Sequence, residues 1–276
     1  MALSVVTNLS SIRAQRNLAK ATDSLGGHIE KLSSGLRINR ASDDAARSAI
    51  SAQMAANLTG LKQAERNSND AISMVQTAEG GMNEVNGIVT RMRELAVQAS
   101  SSGTMDSTER GYLNQEFDLL ESELNRIVNV TEYSGNKLIN GDQSSGVDFQ
   151  VGFSNSANDR ISVSINNISS TQLGINDESL ATASQASAAL TALDTALQSV
   201  STERASLGAT QNRLSMTISN LGSMYENTAD SLSRLRDVDV AEETAAFTRT
   251  KILTDAATSV LASANAMPQS ALKLLS

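Results

Sequence analysis

An apolar residue returns every three or four positions along Leu61, Ala64, Ser68, Ala71, Val75, Ala78, Met82, Val85, Val89, Met92, Ala96 and Ala99, with Ser68 the one polar member. Alternating steps of three and four are the seam of an α-helix that packs on other helices. A helix over 44–100 would be roughly 85 Å long at 1.5 Å per residue. A globule of this mass cannot hold it, so the pattern predicts a rod. Ser42-Asp43-Asp44 supplies a cap and acidic residues for its first turn, and Ser100-Ser101-Ser102-Gly103 ends it. A second helix restarts at the capping-box pattern Asp106/Glu109 and carries Leu113, Phe117, Leu120, Leu124 and Ile127. A third stripe runs Leu190, Leu193, Leu197, Val200, Arg204, Leu207, Gln211, Leu214, Ile218, Leu221, Tyr225, Thr228, Leu232, Leu235. The three can bury one another as an antiparallel bundle, with Arg204 and Gln211 as polar register positions.

Composition removes most other classes. One Pro in 276 residues argues against an all-β protein with many Pro turns, and aromatics are only 3%. Without Cys there is no disulfide framework, thiolate metal site or Cys nucleophile. The single His28 rules out an HExxH site and reads as a polar flank on a helix. The nine Met residues read as core filler. No enzyme and no cofactor are expected. A net charge of −8 disfavours nucleic acid, and no apolar run suits a membrane span. The N-terminus lacks the basic and apolar regions of a Sec signal. The charge is uneven: residues 1–43 carry +3, 236–276 carry −1, and the middle carries −10. Near-neutral ends permit close self-association.

Between 132 and 178 the period changes. Val147, Phe149, Val151, Phe153 and then Ile161, Val163, Ile165 alternate with polar residues, which predicts a β-hairpin lying against the bundle. Ser134-Gly135-Asn136 and Ile139-Asn140-Gly141-Asp142 are turn material. The sequons Asn57-Leu-Thr, Asn129-Val-Thr and Asn167-Ile-Ser are weak motifs in so Asn/Ser-rich a chain. The fold class is therefore mainly α: a long antiparallel helical bundle or coiled-coil rod with a small β-hairpin in the middle.

The two ends repeat the helical spacing: Leu18, Thr22, Leu25, Ile29, Leu32, Leu36, and Leu253, Ala257, Val260, Ala264, Met267, Ala271, Leu274. Paired, they make a two-helix coiled coil. Ordering costs roughly 1–2 kcal/mol per residue in backbone entropy, and arms this poor in large apolar groups recover little of it. They are expected to order when neighbouring molecules bury them.

The chain resembles the bacterial flagellins. The resemblance rests on Leu32-Ser-Ser-Gly-Leu-Arg-Ile-Asn-Arg-Ala-Ser-Asp-Asp-Ala-Ala46, Arg66-Asn-Ser-Asn-Asp-Ala-Ile-Ser73, Gln76-Thr-Ala-Glu-Gly80 and Arg91-Met-Arg-Glu-Leu-Ala-Val-Gln98. At the other end it rests on Leu207-Gly-Ala-Thr-Gln-Asn-Arg-Leu214 and Thr258-Ser-Val-Leu-Ala-Ser-Ala-Asn-Ala-Met-Pro-Gln269. It implies an inner-tube domain D0 made of 1–43 and 236–276. It implies a domain D1 with N-terminal helices in 44–131, a hairpin region in 132–178 and a C-terminal helix in 179–235. Outer domains look absent.

The resemblance also implies a motility filament subunit that polymerises with itself or with other flagellins. It implies type III export without a cleaved signal peptide, an export chaperone, and cap and junction proteins as partners. The assembly arms would use Leu18, Leu25, Ile29, Leu32, Leu36, Leu253, Val260, Met267 and Leu274. The D1 core would use Val75, Met82, Val85, Val89, Leu113, Phe117, Leu120, Leu197, Leu207, Leu214 and Leu221. Arg91, Leu95 and Glu116 match the surface read by the host innate receptor TLR5, and Leu272, Leu274 and Leu275 match the tail sensed by a cytosolic inflammasome receptor. Arg47 stands where many relatives have Gly, and Tyr133-Ser134-Gly135 where Phe-Asn-Gly is frequent. Supercoiling needs bistable subunit packing, which the hairpin and the segments 37–46 and 235–240 are expected to carry. The alternatives are a hook–filament junction protein, a soluble coiled-coil adaptor, and a flagellin carrying an inserted metalloprotease.

Overall fold

The computed structural model describes residues 7–103 and 105–275, with side chains described as far as Met267. The protein is mainly α. Its elements are α1 (Leu9–Ser34), α2 (Ala45–Ala99), α3 (Ser107–Val130), β1 (Glu132–Tyr133), β2 (Asn136–Lys137), β3 (Val147–Gln150), β4 (Arg160–Val163), α4 (Ser170–Leu173), α5 (Ala183–Arg236) and α6 (Val240–Leu275). Asn57–Glu226 forms one compact unit; the residues up to Ala56 and from Asn227 form another. The division falls inside α2 and α5.

In the unit 57–226, α2 runs antiparallel to both α3 and α5. Arg110 Nε donates to Ala99 O at 2.9 Å, while Arg93 Nε donates to Asp194 Oδ1 at 2.6 Å. The α2 stripe from Leu61 to Ala99 is buried throughout. Ser68, its polar member, donates to Ala64 O at 2.8 Å, so its hydroxyl is satisfied inside the helix. Val75, Met82, Val85, Val89, Phe117, Leu207 and Leu214 lie in the main core, and Leu113, Leu120 and Leu197 pack on its edge. Leu221 belongs to a smaller cluster with Leu61 and Ala64. Arg204 reaches Glu79 at 3.7 Å, which tethers the polar position of the α5 seam to α2.

The capping chemistry explains where the helices start. Asp106 accepts from Thr108 N and Glu109 N, and Glu109 Oε2 accepts from Asp106 N at 3.1 Å, a complete capping box. The Glu109 and Thr108 backbone donors hold the Asp106 carboxyl below the usual carboxylate range. The cap is therefore ionised at neutral pH and is lost only as pH falls through that depressed value. For α2 the capping side chain is Asp44, which accepts from Arg47 N at 2.9 Å. Asp43 instead accepts from Arg40 N and Asn39 N in the preceding turn, which lowers its pKa in the same way. Arg47, whose charge opposes the helix dipole, leans on Asp44 at 3.4 Å.

The strands are shorter than the alternation predicts. β3 pairs antiparallel with β4 from Val147↔Val163 to Gln150↔Arg160. Beyond Gln150 the chain leaves the ladder: Val151 is buried but Phe153 is exposed. The single bond from Val151 N to Asp159 O closes the loop. Ile165 also lies outside the ladder, yet it is fully buried. A second ladder, β1–β2, turns through Ser134 (φ 52°) and Gly135 (φ 81°), both left-handed as a two-residue hairpin turn requires.

The remaining irregular chain is pinned by buried side chains and by amides. Leu138, Ile139, Ile168, Ile175 and Leu180 enter the core. Asn125 Oδ1 accepts from Ser170 N, Asn114 Oδ1 from Leu180 N, and the Glu203 carboxylate from Asn166 N and Nδ2.

Candidate assembly and recognition surfaces

In the terminal unit, α1 and α6 run antiparallel with their backbones within 8 Å of each other. Small residues allow this approach. Ser11, Ala14 and Ala264 are the buried members, and Ser11 Oγ donates to Asn265 Oδ1 at 2.7 Å. Asn8 caps α1 at Ser11 N and also donates to Ala264 O at 2.8 Å.

The seam of α1 follows Ser11, Ala14, Leu18, Ala21, Leu25, His28 and Leu32. Leu18, Leu25 and Leu32 are half-buried there, whereas Ile29 faces outward at 51% exposure. Leu36 is not helical: α1 ends at the left-handed Gly35, and Leu36 bridges to Asp237. On α6 the inward side is Phe247, Thr250, Thr254, Ala257, Leu261 and Ala264. Leu253, Val260 and Met267 lie outside the seam, at 56%, 59% and 52% exposure. The sequence reading had these large residues on the helix–helix face. The inward side of α6 runs through Thr250, Thr254, Ala257, Leu261 and Ala264, so Leu253, Val260 and Met267 fall on the other side of the helix. The Leu272, Leu274 and Leu275 side chains lie outside the described residues.

His28 is a correction too. It is no flank residue: its Nδ1 meets Glu243 Oε1 at 2.5 Å on the seam. The signal was present in the unbroken Ser11–Ala14–Leu18–Ala21–Leu25–His28–Leu32 spacing, once small residues count as seam formers. Beyond α1, the Arg37 guanidinium donates to Arg234 O and Leu235 O, and Arg37 N donates to Arg236 O. The last carbonyls of α5 are capped in this way.

In the unit 57–226, Arg91 on α2 donates to Glu116 on α3 through Nε and Nη2, at 3.0 and 2.8 Å, and to Glu94 at 2.9 Å. Glu116, with Glu94 second, raises the Arg91 pKa above its ordinary value, so this exposed guanidinium is permanently charged. Leu95 does not join them at the surface. It is 2% exposed and belongs to the core with Met92, Ala96 and Ala99, so it supports the patch from beneath. Among the described residues no group of His, Cys, Asp or Glu could hold a metal ion, and no helix is long and apolar enough to cross a membrane.

The bacterial flagellin N-terminal helical region matches residues 5–144, and the C-terminal helical region matches residues 190–275. The chain belongs to the bacterial flagellin family. The flagellin of Halalkalibacterium halodurans is 43% identical over 268 residues, covering 97% of this chain and 98% of its own. That of Bacillus subtilis strain 168 is 39% identical over 300 residues, with the same coverage of 97% and 98%. The crystal structure of Bacillus cereus flagellin aligns with a TM-score of 0.50 at 28% identity, over 56% of this chain and 88% of that one. A putative flagellar hook-associated protein from Vibrio parahaemolyticus shares the fold at 13% identity, with a TM-score of 0.59 over 71% and 100%. As a flagellin, the chain is a structural subunit of the extracellular flagellar filament, where copies polymerise for motility; it is not an enzyme.

Proposed function

We propose that α1 and α6 form the innermost layer of the filament and complete their packing only there. One observation carries this reading: Leu253, Val260 and Met267, a row with seven-residue spacing on α6, stand exposed away from the side that packs on α1. A heptad row of large apolar side chains is a docking face for another helix, and among the described residues nothing covers it. Other copies supply the partner helices, and burial of that row offsets the entropy of ordering the arms. Val260→Asp tests it. The variant monomer is expected to keep the parent's circular dichroism, since the side chain is exposed, and to form no filaments when seeded. Val260→Ile is expected to polymerise normally. Filaments of ordinary length from the Asp variant would overturn the reading.

Two further parts of this reading concern partners. The Arg91–Glu116 pair is the exposed charged patch on the α2–α3 face, and it supports recognition there by TLR5, with Leu95 acting through the backbone it anchors. Export through the flagellar type III apparatus with a dedicated chaperone suits a chain without Cys, since no disulfide can form to obstruct unfolded passage.

A further inference from the structure

We propose that Asn140–Gly141 is a self-modification site at which the chain converts its own asparagine to aspartate and isoaspartate through a cyclic imide. The sequence holds two Asn-Gly pairs, Asn86–Gly87 and Asn140–Gly141, and the fold treats them oppositely. Gly87 lies inside α2, where the helical ladder holds its N–H and the regular backbone fixes the asparagine. Asn140–Gly141 lies in the turn after β2.

Here Asn140 Oδ1 accepts from Asp142 N at 3.0 Å, which folds the carboxamide forward over the Gly141 peptide. Its Nδ2 donates to Asp142 Oδ2 at 2.8 Å, which fixes the second end of the carboxamide. Among the described residues nothing accepts a hydrogen bond from Gly141 N. That nitrogen is the nucleophile, and the two bonds to Asp142 hold the Asn140 carboxamide folded over the peptide that carries it.

The steps balance without any redox partner. Gly141 N gives its proton to solvent base and bonds to Asn140 Cγ; the Cγ–Nδ2 bond breaks, and the nitrogen leaves as ammonia. Water then opens the ring at either carbonyl, giving aspartate or isoaspartate. Water has access, because Asn140, Gly141, Asp142, Asn166, Asn167 and Glu203 line a polar cleft of about 850 Å³.

The fold keeps the labile pair in place. Gly141 has φ +102°, and a Cβ there would meet Asn167 Cβ at 3.0 Å, so any other residue is strained at this position. The product is not neutral for the turn. A carboxylate at 140 would replace a donor to Asp142 with a like charge. The isoaspartate form also lengthens the backbone next to the fully buried Ile139.

The test uses the full chain incubated in water enriched in oxygen-18 at mildly alkaline pH, with peptide mass spectrometry at both asparagines. In the folded chain, residue 140 is expected to take up label at least about tenfold faster than residue 86, the advantage of a preorganised over a helix-locked pair. In denaturant the two rates are expected to converge. Asn140→Ser, which keeps an acceptor for Asp142 N, is expected to abolish labelling of that peptide and leave Asn86 unchanged. Equal slow rates in the folded chain would overturn the proposal, as would a product that is aspartate without isoaspartate.

Discussion

At the scale of single residues, the Arg91 patch separates contact from support. Arg91 and Glu116 are exposed partners across two helices, and exposed ion pairs contribute little to stability. Leu95 lies one turn further along α2 and is buried. Arg91→Ala is therefore expected to leave Tm essentially unchanged while lowering TLR5 reporter activation several-fold. Leu95→Ala is expected to cost about 2–5 kcal/mol of stability, the range for a large-to-small core change, as read by denaturant unfolding. If Arg91→Ala signals like the parent, the receptor reading of this patch fails. Arg91 and Glu116 were legible in the sequence as positions in a familiar motif. The burial of Leu95 was not: the stripe from Leu61 ends Met92, Ala96, Ala99, and the resemblance put Leu95 on the surface, although it adjoins Ala96 and lies in the same core.

At the scale of elements, the long helices were plain from periodicity alone, since one buried face per helix leaves a repeating mark over many turns. The irregular chain between α3 and α5 was not. Ile139, Ile175 and Leu180 are fully buried without any period, and the amides of Asn114 and Asn125 hold the chain at Leu180 and Ser170 by contacts that no local pattern announces. The effect on α2 is specific. At Gly81 an added Cβ would meet Thr131 Oγ1 at 2.7 Å and Ile139 Cδ1 at 3.1 Å, whereas at Gly80 nothing lies within 4 Å. Two adjacent helical glycines thus give opposite expectations. Gly80→Ala is expected to stabilise by about 1 kcal/mol, the ordinary helix-interior gain. Gly81→Ala is expected to destabilise by about 1–3 kcal/mol, the overpacking cost. Chemical denaturation of both variants checks the pair; the same sign for both would show that the strand-side chain does not press on α2 at this point.

At the scale of the whole molecule, the two compact units differ in what they bury. The unit 57–226 holds Phe117, Met82, Met92, Leu95, Leu124 and Leu193 among its fully buried side chains. Among the described residues of the α1–α6 seam only small side chains, Ser11, Ala14 and Ala264, are buried, and the leucines stay half-covered. Area removed from water sets most of the favourable free energy, at roughly 25 cal/mol per Å² of apolar surface. Backbone entropy is lost at a similar rate per residue in either unit. The seam is therefore expected to be the first part of the chain to open. Sequence periodicity placed helices at both ends; its α6 stripe joined Ala257 and Ala264, which lie on the seam, to Leu253, Val260 and Met267, which stand exposed. Amide hydrogen exchange on monomer and on filament resolves the difference. In monomer, α1 and α6 are expected to exchange faster than the 61–99 segment by at least about tenfold, and in filament the contrast is expected to disappear. Slow exchange of both terminal helices in monomer would mean that the small-residue seam suffices on its own, and that the exposed row serves some purpose other than completing the fold.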